Sequence, residues 1–168
     1  MNFVKVKKNK GDIMESVIKK IILFTTGFCM YITIEVLFRG YSFPLMGVGA
    51  GLLLTYVCDN TNNKISWDMD LLLQGCIGSF FVTIFELVVG ELLKYTGQSP
   101  MWDYSNMPLN FDGIICLPFS LLWVLLSIVG IWVADAINYY VFEELPVPYY
   151  RIFGKVRIRF REKHCKLK

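Results

Sequence analysis

A few ionisable side chains sit where a chain this apolar has little reason to carry them. Glu35, Arg39, Glu86 and Glu91 lie within or at the edges of long uncharged runs, and Asp103 sits in the aromatic string Trp102-Asp103-Tyr104-Ser105-Asn106. A charge inside a membrane span is costly, so it faces protein or water and finds a partner. Three uses are open. A surplus of carboxylates around one guanidinium suits a cation, an amine or a proton. Two carboxylates at one depth could work as general acid and general base. Alternatively, Arg39 clamps two helices through Glu35 or Glu86 and serves specificity of packing alone. Glu35 and Arg39 are four residues apart and share a helix face. Ser42 and Ser105 read as ordinary loop serines, and Asp135 as a residue that snorkels or meets water.

The elements that must position these groups are apolar and long. Of the 168 residues, 55% are hydrophobic and 18% charged, and the mean hydropathy is +0.48. Soluble domains carry roughly 25% charged residues. That composition excludes a disordered or collagen-like chain and points to a membrane protein. A spanning helix needs about 20 mostly apolar residues. Four stretches qualify or nearly do, at about 17–37, 44–58, 71–93 and 114–142. The expected fold is therefore an all-α polytopic membrane protein, a four-transmembrane-helix bundle with an extracytoplasmic WDYSN loop. It comprises a basic cytoplasmic segment 1–16, a four-helix domain 17–142 and a basic cytoplasmic tail 143–168. The second span is short, and Gly47, Gly49 and Gly51 leave one side smooth enough for another helix to approach. At about 1.5 Å per residue, Glu35 lies about 21 Å beyond Ile21 and Glu86 about 22 Å beyond Leu71. The two carboxylates reach similar depth, and Arg39, Glu91 and the Asp103 connection lie on that same outer side.

Charge sets the orientation. Fourteen of the 17 Lys and Arg lie at the two ends, leaving Arg39, Lys64 and Lys94 between them. Basic flanks stay cytoplasmic, so both termini are expected inside and the number of spans is even. These residues flank an apolar block and do not line a folded polar surface, which argues against nucleic acid. In the tail, Val156-Arg157-Ile158-Arg159-Phe160-Arg161 alternates, so an extended chain would separate apolar from basic faces. Such a face could rest on an anionic leaflet, although a solvated tail that only fixes orientation is the simpler expectation. The five cysteines are dispersed and His164 is the single histidine, which leaves no metal-ligand spacing and no expected cofactor. The first apolar run has a basic leader, but no small-residue cleavage site follows it. It reads as a retained helix.

The string Tyr31-x-x-x-Glu35-x-x-x-Arg39-Gly40-Tyr41-Ser42, Glu86-x-x-x-Gly90, and WDYSNMPLN followed by Gly113 and FSLLW together resemble a bacterial family. It is the "Putative ABC-transporter type IV" family, also called CmpB-like, of small multi-pass proteins of the cytoplasmic membrane. The resemblance covers about residues 26–135. It singles out Glu35, Arg39, Gly40, Glu86, Trp102, Asp103, Tyr104, Ser105 and Asn110; these without Gly40, and with Glu91, are the polar-cluster and candidate substrate-binding residues. One departure is Ile114, where the family pattern carries Gln.

Three functions follow as expectations. The first is a permease-like or accessory transport component. With no G-x-x-x-x-G-K-[ST] loop, it would need a separate ATPase, and a pathway would form more readily between subunits of an oligomer. The second is a non-catalytic membrane organiser, including a pore former of holin type, favoured by the glycines of the second span. The third is an intramembrane carboxylate-dependent enzyme, disfavoured because H-E-x-x-H and G-x-S-x-G are lacking.

Overall fold

The computed structural model describes residues 10–62, 66–144 and 146–162. The lysines at 5, 7 and 8 and the end of the tail, with His164 and Cys165, lie outside the described residues. The fold is mostly helical. Helix α1 spans Lys10–Arg39, α2 spans Pro44–Leu53, α3 spans Leu71–Tyr95 and α4 spans Leu117–Tyr140. Two short antiparallel pairs complete it: β1 (Asn110–Phe111) with β2 (Ile115–Cys116), and β3 (Tyr149–Ile152) with β4 (Lys155–Arg159).

Local chemistry explains the boundaries. Gly40, at φ +82°, closes α1 by bonding its N–H back to Val36 O. Pro44 then opens α2, where a missing N–H costs nothing. Asp70 caps α3 by accepting from Leu72 N at 3.0 Å. At the other end of α3, Gly97 N bonds Lys94 O and Gln98 N bonds Leu93 O. That paired closure needs Gly97 in the left-handed region. Beyond Leu53 the second helix widens into a π-helical stretch, Leu54–Cys58, and the helical run continues to residue 62.

Helices α1, α3 and α4 are each long and apolar enough to cross a membrane, whereas the helix over Pro44–Cys58 falls short of that length. In the most apolar 18-residue windows of the three, only 11%, 33% and 22% of residues are buried inside the molecule. Leu37, Phe38, Phe80, Leu121 and Leu125 are among those fully or half exposed. An apolar surface this extensive belongs in lipid.

The helices pack as two hairpins. In the first, Gly27 lies against Ala50 and Gly51, and Gly47 and Gly51 receive the rings of Phe28 and Phe24. In the second, Gly75 and Gly78 of α3 lie against Val124, Ser127 and Ile128 of α4. Ser79 Oγ donates to Ser120 O at 2.6 Å across the same seam. Between the hairpins, Gly49 receives the ring of Phe85 and Tyr31 stacks on Trp123 at 6.5 Å. A cavity of about 120 Å³ remains there, lined by Met30, Tyr31, Leu54, Phe85 and Trp123.

The tail departs from expectation. Most of the alternating segment lies in strand β4, which is exposed throughout, but the hairpin it forms is docked on the bundle and is no solvated tail. Tyr150 is 1% exposed and Phe160 9%, both in one apolar cluster with Ile131, Ala134 and Tyr139. Arg151 pairs with Asp68 at 2.8 Å.

Candidate functional site

Glu86 stands in the C-terminal half of α3, fully buried at 1% exposure. Trp123 of α4 donates its Nε1–H to Glu86 Oε2 at 3.0 Å. Tyr104, from the connection after α3, donates its hydroxyl to Oε1 at 3.2 Å. Both oxygens are thus held by neutral donors from two separate elements. Trp123 stacks on Tyr31 of α1, and Tyr104 stacks on Phe119 with ring centroids 4.5 Å apart. Burial and the nearby Glu86 carboxylate hold the Tyr104 phenol well above its usual range, so it stays a donor.

Glu35 and Arg39 form a second group at the same end. Arg39 Nη2 donates to Glu35 Oε2 at 2.7 Å and Ser42 Oγ donates to the same oxygen at 2.8 Å. Arg39 also reaches Met101 O at 3.5 Å and lies over the rings of Tyr41 and Phe43. The guanidinium therefore ties α1 to the α3–α4 connection through a carbonyl and a carboxylate of its own helix. Its partners among the described residues do not include Glu86.

The connection is a folded cap. Asp103 Oδ1 accepts from Ser105 N at 2.8 Å, and hydrogen bonding to Ser105, through its hydroxyl first and its backbone N–H second, holds the Asp103 carboxyl below its ordinary range. Asn110 donates to Ser105 O and Met107 O and accepts from Gly113 N. Trp102 Nε1 donates to Ile114 O at 2.7 Å. Gly113 is at φ +67°, and a Cβ there would lie 2.5 Å from Ser105 Oγ. Ile114, the departure from the family pattern, is 4% exposed and fills the space that Gly90 leaves on α3. Lys94 ion-pairs with Asp112 at 2.5 Å.

Of the residues singled out in sequence, Glu35 and Arg39 come together, and Glu86 meets Tyr104. Trp102, Asp103, Ser105 and Asn110 build the cap above them. Glu91 is exposed on α3 and stands apart. Sequence reasoning missed Trp123 and gave Ser42 no role. The signal for Trp123 was available, because an indole N–H within an apolar helix needs an acceptor.

A second buried polar group lies at the opposite end of the bundle. Asp135 is 1% exposed and accepts from Asn62 Nδ2 at 2.6 Å and Tyr150 OH at 2.9 Å. The expectation that Asp135 snorkels or meets water fails, because the β3–β4 hairpin covers it. Lys19 of α1 bridges Asp59 and Glu144 at 3.2 and 2.9 Å, and Asn138 donates to Asp59 at 2.6 Å.

The family model described as "Putative ABC-transporter type IV" matches residues 10–159. The chain belongs to that family. The matched stretch takes in the Glu86 group, the cap, the Asp135 group and the hairpin, and with three helices long and apolar enough to cross a membrane this "Putative ABC-transporter type IV" family member is a transmembrane protein. No curated protein and no solved structure matches the chain.

Proposed function

We propose that this chain is a permease-like or accessory component of a bacterial transporter, working with a separate ATPase in the cytoplasmic membrane. The observation that carries the reading is Glu86, a buried carboxylate held by an indole and a phenol from two other elements, beside the Glu35–Arg39 pair. A carboxylate kept in an apolar span with no direct cationic partner among the described residues is poised to meet a cation, an amine or a proton. In this reading Glu35, Arg39, Glu86, Trp102, Asp103, Tyr104, Ser105 and Asn110 form an outward-facing polar cluster and its cap, while Glu91 stands apart on α3.

The chain crosses the bilayer four times, with both ends inside. The second crossing uses the helical run 44–62, 19 residues and about 28 Å at 1.5 Å per residue. The exposed basic strand β4 then faces the anionic inner leaflet, and copies assemble into an oligomer. The organiser reading loses its main support, since Gly47, Gly49 and Gly51 receive Phe28, Phe85 and Phe24 of this same chain.

The test is purification from native membranes in mild detergent, with mass spectrometry of retained polypeptides and an ATP-hydrolysis assay. An ATPase should co-purify, and Glu86→Gln should lower hydrolysis at least tenfold with the complex still assembled. If no ATPase is retained, the reading fails. If Glu86→Gln prevents assembly, Glu86 is a structural clamp.

A further inference from the structure

The β3–β4 hairpin carries a concentration of charge that its docking on the bundle does not use. Between positions 151 and 161 there are five basic residues, Arg151, Lys155, Arg157, Arg159 and Arg161, and no acidic one. Successive side chains of a strand alternate faces. Tyr150 is turned into the bundle, so Tyr149 and Arg151 lie on the opposite face of β3. The register sets Arg159 across from Tyr149 and Val156 across from Arg151. These four residues line one groove of about 540 Å³, with Pro146 and Val147 as its apolar wall. That volume lies within the range of about 300–1,000 Å³ usual for small-molecule sites.

Chemistry narrows the occupant. A guanidinium has five N–H donors in a planar fork that suits phosphate. Arg151 uses Nη2 on Asp68, and Arg159 uses Nη2 on Glu162, each at 2.8 Å. Asp68 is also the acceptor for Tyr149 OH at 2.9 Å. Both ion pairs are exposed, and exposed pairs hold their partners weakly. Apolar side chains stand beside the basic ones: Phe153 is 81% exposed at the hairpin turn, and Val156 and Ile158 are exposed on β4. Such a mixture suits the boundary between headgroups and acyl chains. The hairpin packs through Tyr150 and Phe160 on Tyr139, near the end of a helix long and apolar enough to cross the membrane. Headgroups lie at that level. We propose, on the inward placement of the hairpin given above, that Arg151 and Arg159 hold the phosphodiester of an anionic phospholipid of the inner leaflet in this groove. A zwitterionic lipid would bring an ammonium to the same two guanidiniums and be held less well.

The full chain in a neutral detergent is given equal amounts of phosphatidylglycerol and phosphatidylcholine, and the retained lipid is read by native mass spectrometry. Phosphatidylglycerol should be retained in preference. Its share should fall about tenfold in Arg151→Gln/Arg159→Gln, which removes charged hydrogen bonds. Lys155→Gln/Arg157→Gln removes the same charge outside the groove and should change the share by less than about threefold. Equal retention of the two lipids would overturn the site. An equal loss in the two double variants would do the same, since diffuse charge alone would then hold the lipid. Should Arg151→Gln disturb the hairpin through Asp68, Arg159→Gln alone decides: a loss supports the groove and unchanged retention overturns it. Displacement of the lipid by excess inorganic phosphate would make the groove a soluble-anion site and overturn the lipid assignment. Micelles have no sides, so loss of the lipid counts against the groove, while the inward placement of the hairpin is decided by labelling on intact cells.

Discussion

At the residue scale, a side chain's partners decide what a substitution tests. Gln at position 86 can still accept from Trp123 while losing the charge, which makes Glu86→Gln a test of charge and Trp123→Phe a test of position. Trp123→Phe leaves Glu86 Oε2 without its donor and should cost about 1–3 kcal/mol of stability, read as a lower midpoint in detergent. Asp103 gives a pH prediction whose sign is fixed. Its folded pKa is depressed, so its contribution to the cap is present above the unfolded value of about 3.9 and is lost as pH falls through the lower folded value. Trp102 fluorescence should therefore hold steady from neutral pH to about 4 and change only below it. Asp103→Asn should keep the turn, because an amide oxygen accepts the same backbone bond, and should abolish that low-pH change. A cap that rearranges above pH 5 in the native chain would contradict this.

At the element scale, periodicity and punctuation made the helices legible. Expected spans at 17–37, 71–93 and 114–142 became Lys10–Arg39, Leu71–Tyr95 and Leu117–Tyr140. Helix α1 begins earlier because Gly11 to Ser16 continue it as an exposed polar turn, which apolar run length does not register. Depth arithmetic expects Glu35 and Glu86 at similar depth, yet it could not choose their partners. Those depend on helix rotation, which a rise per residue leaves undefined. The hairpin was less legible: alternation suited an extended chain, but the expected fold was all-α with a solvated tail, and only the structure shows the β3–β4 pair and Tyr150 as a donor to Asp135. Glycine on the second helix reads as a smooth face in sequence and as a receptacle for Phe85 in the fold. Gly49→Val should accordingly push the two hairpins apart and cost about 1–3 kcal/mol, measured as a lowered thermal midpoint. Gly11→Val, with nothing near its Cβ position, should change stability by less than about 0.5 kcal/mol.

At the scale of the whole molecule, two buried carboxylates occupy opposite ends of a bundle with a lipid-type exterior. The proposed topology puts the cap outside and the β3–β4 hairpin inside. In a cysteine-free background, a cysteine at exposed Asn106 should react with a membrane-impermeant maleimide on intact cells. One at exposed Lys155 should react only after permeabilisation, and the reverse pattern would invert the topology. The hairpin's docking has a further consequence for how the chain is made. Asp135 leaves the ribosome before Tyr150 does, so the nascent polypeptide carries an uncovered acidic group until the hairpin emerges. Closure of that end therefore comes after α4 has been made, and a product terminated ahead of Tyr150 would keep an uncapped carboxylate at the membrane.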